Sequence, residues 1–368
     1  MSDTHASAAA LADSTSDASL ERARAISAKL NAAIDDDPSQ FRVLTGARPT
    51  GHLHIGHYFA TLRNWVDIQR RGVDTWLLIA DYQVITDRDE TGPLRERVYS
   101  FLTDYLAIGM DPEATTIFAH SHVPELNELM LPFLSLVSDA ELRRNPTVKA
   151  ELDATNGRPM SGLLLTYPVH QAADILFCQA NLVPVGKDQL PHLEQARVIA
   201  DRFEARYGRP DTPRIFPRPQ GLLSEAENVL GLDGTKMSKS KGNTIELGMS
   251  ADETAKRIKK AVTDSDRHIT YDPVNRPEVS NLLLLAALAS GGDPNTIAAE
   301  IGDGGGGMLK NVVTEAINEH LAPLRARRAE LIADPAYLQQ ILQRGITRAR
   351  EQAQLTLDAV HEVLGMKY

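Results

Sequence analysis

The chain has 368 residues, 42% of them apolar and 24% charged. That is a globular composition with room for two domains and a sizeable core, so disorder throughout is excluded. Lysine and arginine number 39 against 49 acids, a formal net charge of −10; the molecule cannot hold polyanions by overall charge, and any nucleic-acid contact needs a local basic face. The single cysteine, Cys178, allows neither an internal disulfide nor a cysteine-built zinc site and points to a reducing, cytoplasmic compartment.

Residues 1 to about 18, rich in Ala, Ser and Asp, read as a disordered tail, and Asp3, Asp13 and Asp17 speak against an organellar transit peptide. Leu20, Ala23, Ile26, Leu30 and Ile34 have helical spacing and predict one amphipathic helix inside an N-terminal extension over 1–40. From Phe41 short apolar runs at Val43–Thr45, Trp76–Ala80, Thr115–Ala119 and Leu182–Val185 alternate with helical patterns at Gly56–Arg71 and Pro93–Leu106. Such alternation predicts an α/β fold over 41–248, a Rossmann-like parallel sheet with helices on its faces, whose ligands bind where strands end, here at the loops from Gly46 and Asp81.

After about residue 249 the strands stop. Helices at Ala251–Val262, Val279–Ala289, Leu309–Leu331 and Pro335–Leu364 predict a second, all-helical domain over 249–368. The joint carries Gly231–Gly234 and Lys241–Asn243, turn formers that read as a mobile loop, and Gly304–Gly307 reads as a linker. No apolar run approaches the ~20 residues of a membrane span; the longest is Leu282–Ala289, and no membrane association is expected.

Two segments carry candidate chemistry. Thr45–His57 follows the first predicted strand and enters the first helix, whose amides and positive dipole end suit a phosphate. Gly46, Gly51 and Gly56 leave room for a ligand against the backbone, and Gly56 lets a flat base approach. His54 and His57 share a face and can both donate to an anion; a surface loop with incidental histidines fits the same residues. The second segment, Lys236-Met237-Ser238-Lys239-Ser240, can close two lysines on a polyphosphate as charge builds on a leaving group, and is equally a solvated basic loop.

Together, His54-Ile55-Gly56-His57 and Lys236-Met237-Ser238-Lys239-Ser240 resemble the HIGH and KMSKS motifs of class I aminoacyl-tRNA synthetases, letter for letter. Thr166–Leu176, Val183–Gln189 and Ala261–Ser265 narrow the resemblance to the bacterial tryptophanyl-tRNA synthetases, from about Leu44 to near the C-terminus. It implies attack of the tryptophan carboxylate on the α-phosphate of ATP-Mg²⁺, release of pyrophosphate, and transfer of tryptophan to tRNA(Trp), catalysed by positioning and electrostatics with no covalent nucleophile.

By that resemblance Arg48, Pro49, Thr50, Gly56 and His57 line the ATP site, and His54 and His57 steady the α-phosphate. Gly186, Lys187 and Asp188 hold the ribose region. Lys236 and Lys239 engage pyrophosphate within the loop that includes Met237, Ser238 and Ser240, with Lys149 a third cation. Asp174 accepts the indole N–H, and Tyr167 and Gln189 hold the α-amine. An acceptor built for the indole would be left unpaired by phenylalanine, which is costly, whereas tyrosine could still donate; on its own, Asp174 could instead cap the run Ile175–Phe177. Magnesium is expected on ATP and water, with no protein metal site.

Some positions depart from the family. Gln171 stands where many bacterial relatives have methionine and Gln83 where some have histidine, so a more polar indole floor is expected. Arg48 replaces a glutamine of some members, and Lys187 falls where an acid is common, leaving its backbone N–H for the ribose. In the helical domain Lys256, Arg257, Lys259 and Lys260, and separately Arg325, Arg327, Arg328, Arg344, Arg348 and Arg350, are what a tRNA surface needs or are solvated helix faces. The helical domain would bind the anticodon, and the family's active unit implies a homodimer. The alternatives are the tyrosine-specific relative, a small-molecule nucleotidyltransferase, and a non-catalytic tRNA- or amino-acid-sensing paralogue.

Overall fold

A computed structural model of the protein describes residues 21–86, 91–154, 159–186, 190–223, 229–238 and 241–368. The strands β1 (Arg42–Ala47), β2 (Asp74–Ile79), β3 (Thr115–Ala119), β4 (Leu182–Val185) and β5 (Gln220–Leu223) form one sheet in the order β3-β2-β1-β4-β5, every neighbouring pair parallel. Strand β2 and the edge strand β3 are buried along their length, hence their unbroken apolar runs. The chain winds outward from β1 through β2 to β3, then returns to the other side of β1 as β4. At that reversal β1 and β4 share a single registered pair, Val43 with Leu182, and the strands part beyond it, opening a crevice at their carboxyl ends.

The helices are α1 (21–36), α2 (Ile55–His57), α3 (Arg63–Arg70), α4 (Leu94–Ala107), α5 (Glu125–Leu134), α6 (Asp139–Arg144), α7 (Pro146–Ala154), α8 (Gly162–Leu176), α9 (Leu190–Tyr207), α10 (Ala251–Lys259), α11 (Pro277–Ser290), α12 (Pro294–Ile301), α13 (Gly305–Ala333) and α14 (Pro335–Leu364). The expected amphipathic helix is α1, whose Leu30 and Ile34 join Val43, Ile68, Val73, Leu182 and Leu222 in a small core beneath the sheet. Ser27 on α1 also accepts a hydrogen bond from the Leu223 N–H of edge strand β5, at 2.8 Å. The tail before residue 21 lies outside the described residues.

The long C-terminal helices are written in their ends. Asp334 caps α14 by accepting from Tyr337 N–H, Pro335 sits in the first turn, and Gly365 closes it in the left-handed conformation. One continuous apolar core includes residues of the sheet and of α10, α11, α13 and α14. The approach is tight at Gly345 of α14, where a Cβ would stand 1.8 Å from the Ile117 carbonyl of β3. The glycine run read as a linker is instead the start of α13: Gly305 is left-handed, and at Gly306 a Cβ would meet Thr263 Oγ1 at 2.9 Å. Missing side chains there serve close packing, which composition cannot distinguish from flexibility. Among the described residues no single helix is long and apolar enough to cross a membrane.

Candidate active site

A cavity of about 750 Å³ fills the crevice between β1 and β4. Thr45, Gly46, Ala47 and Arg48 form one wall, Val183, Pro184, Val185 and Gly186 the other, with Tyr167, Gln171 and Asp174 of α8 and Gln83 at one end and Lys236 at the mouth. Lys187, Asp188, Gln189, Lys239 and Ser240 lie outside the described residues.

His54 and His57 cap the helix start reciprocally. Each Nδ1 accepts from the other residue's backbone N–H at 3.4 Å, and the rings stack at 3.6 Å. An accepting Nδ1 leaves Nε2–H as the donor of each ring. The helix then passes directly through a π-helical turn, Tyr58–Leu62, a distortion frequent beside functional sites. The space at Gly56 is already taken: a Cβ there would stand 2.8 Å from Met237 Sδ and 3.0 Å from His54 Nδ1. Gly46 likewise serves packing, since a Cβ would lie 2.3 Å from the Leu78 carbonyl of β2. At both glycines neighbouring protein atoms fill the place of the missing side chain.

The two motif segments meet through the backbone as well. Ile55 N–H donates to Ile245 O and Leu247 N–H to Leu53 O, both at 2.9 Å, so the chain returning from the lysine loop pairs with the histidine segment. The described part of that loop is organised by Asn243, a residue sequence reasoning passed over as a turn former. Its buried amide donates to Asp233 Oδ1 at 2.7 Å and Lys236 O at 3.2 Å, and its Oδ1 accepts from Ser238 N–H at 2.8 Å. These hydrogen bonds hold the backbone that presents Lys236, and the Asn243 amide keeps the Asp233 carboxyl below its usual range.

At the other end Asp174 sits within α8, 3% exposed, so it does not cap a helix. Gln83 Nε2 donates to its Oδ2 at 2.8 Å. Its Oδ1 is 2.9 Å from His120 Nδ1, close enough to pair by charge but without the alignment of a hydrogen bond. Gln83 Oε1 is also buried without a hydrogen-bond partner. Buried acceptors left open cost free energy unless a donor arrives, and an indole N–H is such a donor. Tyr167 has its hydroxyl 3.5 Å from His192 Nε2, and burial raises its pKa.

His120, His170 and Asp174 bring ligand atoms within 4.8 Å of one another. His120 turns Nδ1 to Asp174 Oδ1 and to Gln83 Nε2, 3.0 Å away, and Nε2 to His170. That is the arrangement of a hydrogen-bond chain, not a chelate. Neither His120 nor His170 was selected from sequence, although His120 immediately follows a predicted strand, the usual place for a ligand-facing residue.

Lys149 is exposed on α7 and is not part of the cavity lining, which takes Thr147, Ala150 and Glu151 from that helix instead. Arg48 reaches to 3.7 Å from Glu151. The arginines read as a possible tRNA surface are occupied within the chain. Arg328 pairs with Asp104 at 2.7 Å, Arg344 with Glu113 at 2.6 Å, Arg348 with Asp74 at 3.0 Å and Arg350 with Glu125 at 2.9 Å. Arg327 pairs with Glu330 on its own helix, and Arg325 donates to Asn318 and Thr254. Four of these fasten α13 and α14 to the sheet and its helices; a sequence cannot show which acids lie opposite. Lys256 and Lys259 of α10 and Lys260 at its C-cap are exposed, with no ion pair among the described residues.

The parallel sheet, the crevice at its reversal and the two joined motifs define a class I nucleotide-activating fold, and residues 37–322 match the family model of tRNA synthetases class I (W and Y). The chain belongs to that family. Within it, the chain is 38% identical over 339 residues to the tryptophan–tRNA ligase of Treponema pallidum, covering 88% of this chain and 97% of the relative. The tryptophan–tRNA ligase of Clostridium longisporum is likewise 38% identical, over 89% of this chain and 97% of its own. Among solved structures, tryptophanyl-tRNA synthetase from Campylobacter jejuni, complexed with ADP and tryptophan, superimposes with a TM-score of 0.76 at 32% identity, over 88% of this chain and 99% of that one.

Proposed function

We propose that this chain is a tryptophan–tRNA ligase: it activates L-tryptophan with ATP to tryptophanyl-adenylate and passes the aminoacyl group to tRNA(Trp). The observation that carries the reading is the pairing of two buried open acceptors, on Asp174 and Gln83, with a cavity lined by Lys236, whose loop packs on the histidine segment through Met237 and Gly56. Tryptophan lies with its indole N–H toward Asp174 and its carboxylate toward the mouth, and Tyr167 and Gln189 hold the α-amine. Asp174 disfavours phenylalanine, which leaves the carboxylate unpaired.

Arg48, Pro49, Thr50, Gly56 and His57 border ATP, and Gly186, Lys187 and Asp188 its ribose. The Nε2–H groups of His54 and His57 donate at the α-phosphate. Lys236 and Lys239, with Met237, Ser238 and Ser240, gather on pyrophosphate as its charge develops. Magnesium enters on ATP: the acids lining the described cavity, Glu151 and Asp174, are engaged by Arg48 and by Gln83 and His120, a donor set that suits an ion carried by phosphates and water. Residues 249–368 serve as the anticodon-binding domain, with Lys256, Lys259 and Lys260 offering the basic contacts. The working unit is a homodimer in the cytoplasm.

Amino-acid-dependent ATP–pyrophosphate exchange, with tryptophan and tyrosine in parallel, tests the activation step. Exchange with tryptophan alone, followed by charging of tRNA(Trp), is the expected result; exchange with tyrosine alone, or with neither, sinks the reading.

A further inference from the structure

We propose that His120 and His170 form a one-proton pair that positions Asp174, making both of them specificity-determining positioning residues although neither lines the cavity. The inference rests on the reading of Asp174 as the indole acceptor. His120 is fully buried and His170 nearly so, and their Nε2 atoms stand 3.1 Å apart. Two N–H groups, or two bare lone pairs, facing each other at that distance in a low-dielectric interior are repulsive. One proton therefore lies between them, and the two rings hold a single joint hydrogen-bonding state.

Every neighbour constrains that state. On the far side, His170 Nε2 also lies 3.0 Å from Asn127 Oδ1 of α5. On the near side, the Gln83 Nε2–H group that donates to Asp174 Oδ2 also lies 3.0 Å from His120 Nδ1, His120 Nδ1 faces Asp174 Oδ1 at 2.9 Å, and the Tyr82 ring meets His120 edge-on at 5.4 Å. Asp81 fixes the backbone beside His120, accepting from Ser121 N–H at 2.9 Å and Ser121 Oγ–H at 2.5 Å. Burial opposes a charge on His120, but Asp174 outweighs it and raises the pKa, whereas burial lowers that of His170; the shared proton is thus biased toward His120. The carboxylate is consequently gripped on one oxygen by Gln83 and steered at the other by His120, whose ring angle is set in turn by His170. His170, one turn before Asp174 on α8 and outside the cavity lining, thereby sets the direction of the acceptor that tells indole from phenyl.

The test is steady-state pyrophosphate exchange with His170→Leu, which deletes the partner, and His170→Gln, whose amide can restore a donor near the Nε2 position. Loss of a buried hydrogen-bond partner predicts a rise of about tenfold in the tryptophan KM of His170→Leu, with kcat and the ATP KM within about twofold of wild type. His170→Gln should recover most of the tryptophan KM. Should His170→Leu fail to fold, His170→Met makes the same deletion with a flexible side chain. An unchanged tryptophan KM in the folded deletion variant, or a matching loss in kcat and ATP KM without rescue by glutamine, overturns the proposal. Asp174→Asn in the same assay separates the two levels: if it leaves the tryptophan KM unchanged, the indole reading itself has failed, whereas a raised KM there with none at His170 overturns only the histidine pair.

Discussion

Met237 Sδ occupies the space in which a side chain on Gly56 would begin, 2.8 Å from the ideal Cβ position. One motif therefore reads the other by contact: the lysine loop seats its methionine on the glycine of His54-Ile55-Gly56-His57. Gly56→Ala should displace the flexible methionine at little cost to folding but shift the loop that presents Lys236. We expect activation to slow by about tenfold or more, as when a remote misplacement spoils alignment, with a melting temperature close to wild type. Adding Met237→Ala should recover part of the rate; pyrophosphate exchange reads both.

Arg328 and Asp104 test which ion pairs carry the C-terminal helices. Asp104 is 1% exposed and Arg328 19%, so Arg328→Met removes a charge-assisted hydrogen bond from a buried carboxylate, a loss of about 1.5–3 kcal/mol in urea unfolding. The Arg344–Glu113 pair is largely solvated, and Arg344→Met should cost less than about 1 kcal/mol.

Gly345→Ala places a methyl group on the Ile117 carbonyl. Neither helix nor strand can yield locally, so α14 must lift from β3. The expected destabilisation is about 3 kcal/mol or more, although Gly→Ala inside a solvated helix normally stabilises it.

His320 on α13 donates from Nδ1 to Ala289 O at 2.9 Å, and its Nε2 lies 3.2 Å from the Tyr58 hydroxyl in the π turn. Burial lowers its pKa below the ordinary 6.5. With the folded value depressed, the unfolded chain takes up the proton first as pH falls, so this contribution is present above pH 6.5 and is lost on acidification through the folded pKa. His320→Gln should lose less thermal stability than wild type between pH 7.5 and about 5.5; an equal loss in both proteins would contradict the assignment.

Cys178 is wholly buried and its thiol is pushed up to about 12 by burial. Maleimide should leave the native protein unmodified at neutral pH and label it in full once urea unfolds it, because only the accessible thiolate reacts.

Much of the fold was legible because its signals are local. Trp76–Ile79 and Thr115–Ala119 are apolar runs of strand length, and Asp334-Pro335 with Gly365 bracket the last helix. Strand β5 was missed because Gln220–Leu223 is a short edge strand bordered by polar residues, stabilised by β4 and by Ser27 from far away in sequence. The site divides in the same way. His54, His57 and Lys236 were found through contiguous motifs, and Asp174 through the segment around it. His120, His170, Asn127 and Asn243 matter only through partners on other elements, which no spacing rule reaches. The arginines of α13 and α14 were open to misreading for the same reason: their acids come from β2, α4, α5 and the turn before β3.

The contact of Gly345 with Ile117 gives α14 a second office. Ile117 lies on β3, and β3 runs straight into His120, which stands against Asp174 at the proposed tryptophan end. With no clearance between helix and strand, the last helix acts as a splint along the strand that leads into His120. A chain ending before Pro335 should therefore lose discrimination between tryptophan and phenylalanine in pyrophosphate exchange, a reaction in which no RNA takes part.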